Sequence, residues 1–274
     1  MSSLLFFLRD ATNLCQYRQY PLQKRYRELV KVALIDVVMI ETLTGMKSNA
    51  FDVFDGTIPT ENFILADAKV KQNIVAIELV HTRRFFTSFW FGDYQSAIES
   101  DKAASSVPSS KMLKLWTIYR ECYKAIIAFH LYREGEGEEW LEEGMKLLSK
   151  FQFWKTISKD VFESKFLLIQ AEYYAVSCEI DKARTSFEAS IKAARDEGYV
   201  NEQGLAFERY GAFLEALVEM TEASICYKSA HVCYLQWGAL ALADHIWNKY
   251  KLSTCKEGLH PLLVATVVAK HGRS

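Results

Sequence analysis

Metal-binding residue types come closest together at Cys226, His231 and Cys233, two cysteines two helical turns apart with an imidazole between them. Zinc takes thiolate and imidazole ligands, but its sites draw tightly spaced pairs from two elements, and no C-x-x-C pair occurs in the chain. The three residues read as one face of a helix, where cysteine acts as a small hydrophobe. Cys15, Cys122, Cys178 and Cys255 complete the six cysteines, and most of the six fall in apolar helical patterns, so they read as reduced and buried. The nearest approach to a phosphate loop is "TGMKS", Thr44 to Ser48, where a Met intervenes and the upstream glycine is missing. None of His81, His130, His231, His245, His260 and His271 is followed by the acidic residue and proline of a kinase phosphoacceptor. The chain has no G-x-S-x-G elbow and no H-E-x-x-H pair. "HTRRFFTSFW", His81 to Trp90, interleaves basic and aromatic residues, but two arginines do not make a phosphate track. A net charge of −1 supplies no basic field. The expectation is therefore no catalytic residue, no cofactor, no metal site and no nucleic-acid partner.

The elements that carry these residues are helical. Half of the 274 residues are apolar and 14% are aromatic, enough for a sizeable core. Only 12 Gly and 4 Pro punctuate the chain, too few for a sandwich or barrel. Pro21, Pro59, Pro108 and Pro261 each fall between apolar-periodic stretches. Apolar residues recur every three or four positions over Leu22 to Leu43, Ile64 to Trp90 and Met112 to Tyr132. Ile64 to Trp90 is long enough for one or two helices. "EGEGEEWLEEGMKLL" opens a further helix whose glutamates suit the positive end of the dipole. Ser109 or Ser110 is a candidate cap after the "SSVPSSK" loop, and Asp55-Gly56 a candidate turn in "NAFDVFDGTIPTEN". The fold class expected is all-α. "SLLFFL" is too short for a signal peptide and "PLLVATVVAK" too short for a membrane span. No membrane insertion and a cytoplasmic address follow, which the lack of an N-x-[ST] sequon agrees with.

An internal repeat orders the second half. Aligning Leu167–Gly198 with Phe207–Gly238, an offset of about 40 residues, sets small residues on small and large apolar ones on large. Leu167 meets Phe207, Ala171 meets Gly211, Tyr174 meets Leu214, Ala183 meets Ala223 and Phe187 meets Tyr227. That is the tetratricopeptide (TPR) pattern, in which two antiparallel helices touch where side chains are small and large neighbours fill the grooves. Gly198 and Gly238 fall just past the second helix of each pair, where a left-handed residue ends a helix without a Cβ penalty. Trp237 is the last large residue before Gly238 and is expected to pack back on its pair. Asp181 and Thr221 are expected caps. "FFTSFWFGDYQSAIESDKAA" is a degenerate earlier unit, with Asp93 as cap, Ala97 in the place of Ala183, and Asp101 where the aromatic belongs. The expected architecture is a TPR-like α-solenoid of antiparallel helix pairs. It comprises an N-terminal helical segment over 1–58, a repeat region over 59–250 with clearest units 161–198 and 201–238, and a tail over 251–274.

"KFLLIQAEYYAV", "AFERYGAFLEAL" and "CYLQWGALALADHIWNKY" resemble the TPR-like helical region of large signalling proteins. Those proteins join a kinase-like domain, an AAA-type ATPase, the helical region, a GAF domain and a sensor histidine kinase. Tyr234, Leu235, Trp237, Gly238, Ala239 and Tyr250 match the Tyr-Leu-x-Trp-Gly-Ala stretch and closing tyrosine that end the region in that family, and Leu167, Leu168, Ala171 and Glu172 match its LLxxAE stretch. The likeness is strongest from about Val161 to Tyr250, and the family's basic pair ahead of LLxxAE is reduced to Lys165. The resemblance implies a relay or docking scaffold between ATPase and kinase modules that this chain does not carry. The functional expectation is a non-catalytic scaffold with a protein partner, with polar residues of the first helices, Lys165, Glu172, Arg209 and Glu215, as a candidate groove. The alternatives are a fragment of a multidomain ATPase or histidine kinase, and a helical enzyme with a polar pocket.

Overall fold

The computed structural model describes residues 35–45, 61–108 and 114–252. Every regular element among them is a helix, and none is a strand. Residues 35–44 form α1. Then follow α2 (Glu61–Val70), α3 (Ile74–Trp90), α4 (Tyr94–Ser105), α5 (Lys114–Arg133), α6 (Glu138–Ile157), α7 (Lys159–Val176), α8 (Ile180–Glu197), α9 (Val200–Ala216), α10 (Met220–Trp237) and α11 (Leu240–Lys249). The Leu22–Leu34 part of the first helical stretch, the Asp55-Gly56 turn, the Ser109 and Ser110 caps, Cys15, Cys255, His260, His271 and nearly all of the tail lie outside the described residues. No described helix is long and apolar enough to cross a membrane.

The chain divides into two compact units, Met1–Arg120 with Gly238–Leu242, and Glu121–Trp237 with Ala243–Ser274. In the first unit the apolar run Ile64–Trp90 breaks into α2 and α3 at a tight turn. Asn73 caps α3 by accepting from Ala76 N at 3.2 Å, and Asp93 caps α4 by accepting from Ser96 N at 3.0 Å. α3 packs on α2 and α4, burying Leu79, Val80, Phe85, Phe86, Phe89 and Ala97. Asp101 is buried 3.2 Å from Arg120 Nε, an ion pair where the better-formed units have an aromatic ring.

In the second unit consecutive helices pack on one another from α6 to α10, and α7 also touches α9. α8 and α10 are both 18 residues long. They begin at Ile180 and Met220, the offset that aligns the repeat. Each follows a turn of one design. Glu179 N donates to Tyr174 O and Glu219 N to Leu214 O, both at 2.9 Å, and the residue between helix and acceptor turn is left-handed, Cys178 at φ 57° and Val218 at φ 64°. This closure satisfies carbonyls that a helix end leaves open. Gly198 ends α8 in the same way at φ 81°, and Gly238 follows α10 at φ 90°. Asp181 and Thr221 do not cap these helices. The N-cap of α8 is Glu179, whose side chain makes no cap bond. Asp181 lies in the first turn instead, where its carboxylate still faces the positive end of the dipole.

Small residues set the spacing of the pairs. A Cβ on Gly211 would stand 2.7 Å from Tyr227 Cε1, one on Gly204 2.7 Å from Tyr234 Cε1, and one on Gly144 2.6 Å from Phe129 Cε1. Ala171, Ala183 and Ala223 are buried, while Leu167, Tyr174 and Trp237 are half-buried and Gly198 is exposed. Phe187 of α8 stacks on Tyr210 of α9 at 5.3 Å and meets Phe213 at 5.5 Å, with Phe207 and Leu214 buried on the same helix.

Candidate functional site

Lys165 and Glu172 are two helical turns apart, so α7 carries both on one face. That face turns inward. Glu172 is 1% exposed and Arg209 of α9 7%. Arg209 approaches the carboxylate in a fork, Nε to Oε1 at 2.5 Å and Nη2 to Oε2 at 3.2 Å, while Arg133 at the end of α5 stands 3.8 Å away. Burial alone would raise the pKa of Glu172, but the two arginines outweigh it and hold the carboxylate ionised below its ordinary range. Lys165, 3% exposed, lies 2.5 Å from Glu202 Oε1 of α9 and donates to Val161 O at 3.0 Å.

Glu215 behaves differently. It is exposed near the end of α9 and accepts a 2.6 Å bond from Tyr227 Oη. The four candidate groove residues therefore do not form one open groove. Three of them join helices inside the unit, because a charge placed on the packing side of a helix must find an opposite charge or stay costly. Only Glu215 faces solvent.

Further along α9, Glu208 is a second hub. It accepts from Tyr234 Oη at 2.9 Å and from Tyr250 Oη at 3.2 Å, and Lys249 stands 3.6 Å away. Tyr227 and Tyr250 stack with ring centroids 3.5 Å apart. Burial and the Glu208 charge push the Tyr234 hydroxyl well above its ordinary range, so it stays a donor. Tyr234 and Tyr250 thus converge on one carboxylate. No sequence periodicity marked Glu208, Glu202, Ser164 or Arg133. For Glu208 and Glu202 the one cue was a charge inside an otherwise apolar helix face, and Ser164 carried none.

Burial also holds a histidine and two cysteines of this unit in their neutral forms. Burial, then Arg209 and Arg133, lower the pKa of half-buried His130 to about 4, so it is neutral at pH 7. Burial raises Cys226 to about 12 and Cys122 further, which keeps both as thiols. Cys178 is exposed, and Cys226 and Cys233 are buried core residues beside half-buried His231, whose Nδ1 lies 3.0 Å from Ala243 O. Among the described residues no three His, Cys, Asp or Glu side chains are placed to hold a metal ion.

Nothing among protein-family models, curated proteins or solved structures matches this chain.

What the seam does by its own geometry is mechanical. Glu172–Arg209 ties α7 to α9, Lys165–Glu202 ties them again, and Glu208 ties α9 to α10 and to Tyr250 beyond α11. Exposed large apolar side chains lie elsewhere, some within helices, such as Phe63, Met145 and Phe153, and some at the turns that join paired helices. Val218 is 80% exposed, Met220 56% and Ile180 42%.

Proposed function

We propose that this chain is a TPR-like helical-repeat scaffold of the α-solenoid type, acting through protein contacts rather than through a reaction. The observation that carries the reading is the repeat itself. The aligned sequence units coincide with the helix pairs α7–α8 and α9–α10, with matching turns at Cys178 and Val218 and small residues at the helix contacts. Arrays of this kind are rigid surfaces built from nearest-neighbour packing. The seam of buried ion pairs suits that role, since it fixes the register of successive helices.

The likeness of Tyr234–Ala239 and Tyr250 to the helical region of multidomain signalling proteins extends the proposal. The chain would serve as a cytoplasmic docking or relay element in signal transduction, associated with ATPase and histidine-kinase modules carried elsewhere. A protein, either a peptide or a neighbouring signalling domain, is the partner proposed. Exposed apolar side chains at Ile180, Val218 and Met220 are natural contact points.

Proximity labelling in the native cell tests this, comparing the wild-type chain with a Val218→Asn, Met220→Gln double variant. Asn tolerates the left-handed backbone, so the turn is kept. The expected result is a reproducible labelled set that falls several-fold in the variant while the melting temperature holds. A labelled set no different from that of an unrelated helical control would sink the scaffold reading, and equal labelling by both chains would move the contact away from these turns.

A further inference from the structure

Ser164 of α7 stands between two carboxylates. Its Oγ lies 2.7 Å from Glu202 Oε2 of α9 and 3.1 Å from Glu197 Oε2 at the end of α8. A hydroxyl carries one proton and donates one strong hydrogen bond. Both contacts are satisfied together only when one carboxyl brings a proton of its own.

Glu202 is not that carboxyl, because the Lys165 ammonium sits 2.5 Å from it. Glu197 is placed to hold the proton. It is the last residue of α8, where the negative end of the dipole opposes a carboxylate. Its neighbours are mostly acidic. Glu163, Asp160 and the cation Lys159 of α7, Asp196 of α8 and the Tyr199 phenol line the same groove, and Glu202 lies behind Ser164. Lys155 and Lys159 pair with Glu163, Lys165 with Glu202, and Arg195 with Asp196. Among the described residues no cation pairs with Glu197. Ser164 is held in turn by Ser190 Oγ of α8, which donates to its carbonyl at 2.9 Å. Behind this joint is a small, mainly apolar cavity of about 10 Å³ lined in part by Cys122, Leu168 and Leu205.

We propose that Glu197 is a proton-operated latch of the α7–α8–α9 joint: protonated, it donates to Ser164 Oγ, which donates to Glu202, and deprotonated, it shares the single Ser164 proton with Glu202, so that one of the two contacts is lost and the end of α8 is freed. Burial, and then the Glu202 and Glu163 charges, raise Glu197 to about 7, with Ser164 and Lys165 opposing. The latch therefore works near neutral pH. Because the folded pKa lies above the unfolded value, the stability it adds is full below about pH 4.5 and is lost as pH rises through about 7.

The first test uses the unaltered chain. A carboxyl-carbon NMR titration assigned to Glu197 is expected to show a midpoint near 7, and a midpoint in the ordinary carboxylate range overturns the latch. The second compares thermal unfolding at pH 5.5 and 8.5. Glu197→Gln donates to Ser164 at every pH, so its margin over wild type should be about 2–4 °C wider at pH 8.5 than at pH 5.5. Hydrogen exchange, corrected for intrinsic rates, should speed up with pH over residues 195–201 in wild type and not in Glu197→Gln. Equal pH slopes in the two chains, by either readout, refute the proposal.

Discussion

The most consequential side chains are the buried charges. Glu172 and Arg209 pair at contact distance, both buried, while Arg133, partly exposed, stands 3.8 Å from the same carboxylate. Removing one partner of such a pair strands the other. Glu172→Gln is expected to cost roughly 3–5 kcal/mol in urea unfolding, and a Glu172→Leu, Arg209→Met double variant should recover much of it. Val218 works the other way. A β-branched residue at φ 64°, 80% exposed, gains little from packing and bears left-handed strain. Val218→Gly relieves about 1–2 kcal/mol of strain, partly offset by the freedom of Gly in the unfolded chain. A rise of about 1–3 °C in melting temperature is the expected outcome, and a fall would show that Val218 packs in a way its exposure does not suggest.

Helices in this chain are set apart by what their neighbours lack. Gly211 lets the α9 backbone approach the Tyr227 ring, and that ring is held at its other side by the Tyr250 stack and the bond to Glu215. Its room to retreat is small. Gly211→Ala gains helix propensity of about 1 kcal/mol yet should be destabilising overall by about 1–3 kcal/mol through overpacking. Pairing it with Tyr227→Leu should restore part of the loss, and additivity of the two changes in a denaturant series would argue against the contact. Between pairs, Phe187 is fully buried against Tyr210 and Phe213. Phe187→Ala is expected to cost about 3–5 kcal/mol, read by the same unfolding curves.

At the scale of the molecule, pH acts through opposed groups. His130 is held neutral with its pKa lowered to about 4 from an ordinary 6.5. A depressed folded value means that its contribution is complete above pH 6.5 and is lost as pH falls towards 4. Glu172, also depressed, adds to the loss below about pH 4.5. Glu197 runs against both between pH 4.5 and 7. His130→Gln should therefore lose less stability than wild type between pH 7 and 4.5, measured as the shift of the urea midpoint, and an equal shift would show that His130 is solvated in the folded protein. A scaffold assembled from nearest-neighbour contacts is open to such local adjustment, since one joint can loosen while the next pair stays packed.

Ala171, Gly211, Ala183, Ala223, Phe187 and Tyr227 announced the helix pairs from sequence, because small and large residues must alternate wherever two helices touch. Gly198 and Gly238 announced their own left-handed backbones, a property of a residue without Cβ. Periodicity is a local quantity and survives translation into structure. Cys178 and Val218 hold the same left-handed conformation without any such signal, for their turns are imposed by the packing of the helices they join. The candidate groove was misplaced for a related reason. Sequence can say that Lys165, Glu172 and Arg209 are charged, but whether a charge meets water or an opposite charge depends on which helix is laid across it. Only the folded chain brought Arg209 to Glu172, Glu202 to Lys165 and two carboxylates to one serine hydroxyl, since those partners lie a full helix pair apart along the sequence and close together only after the helices stack.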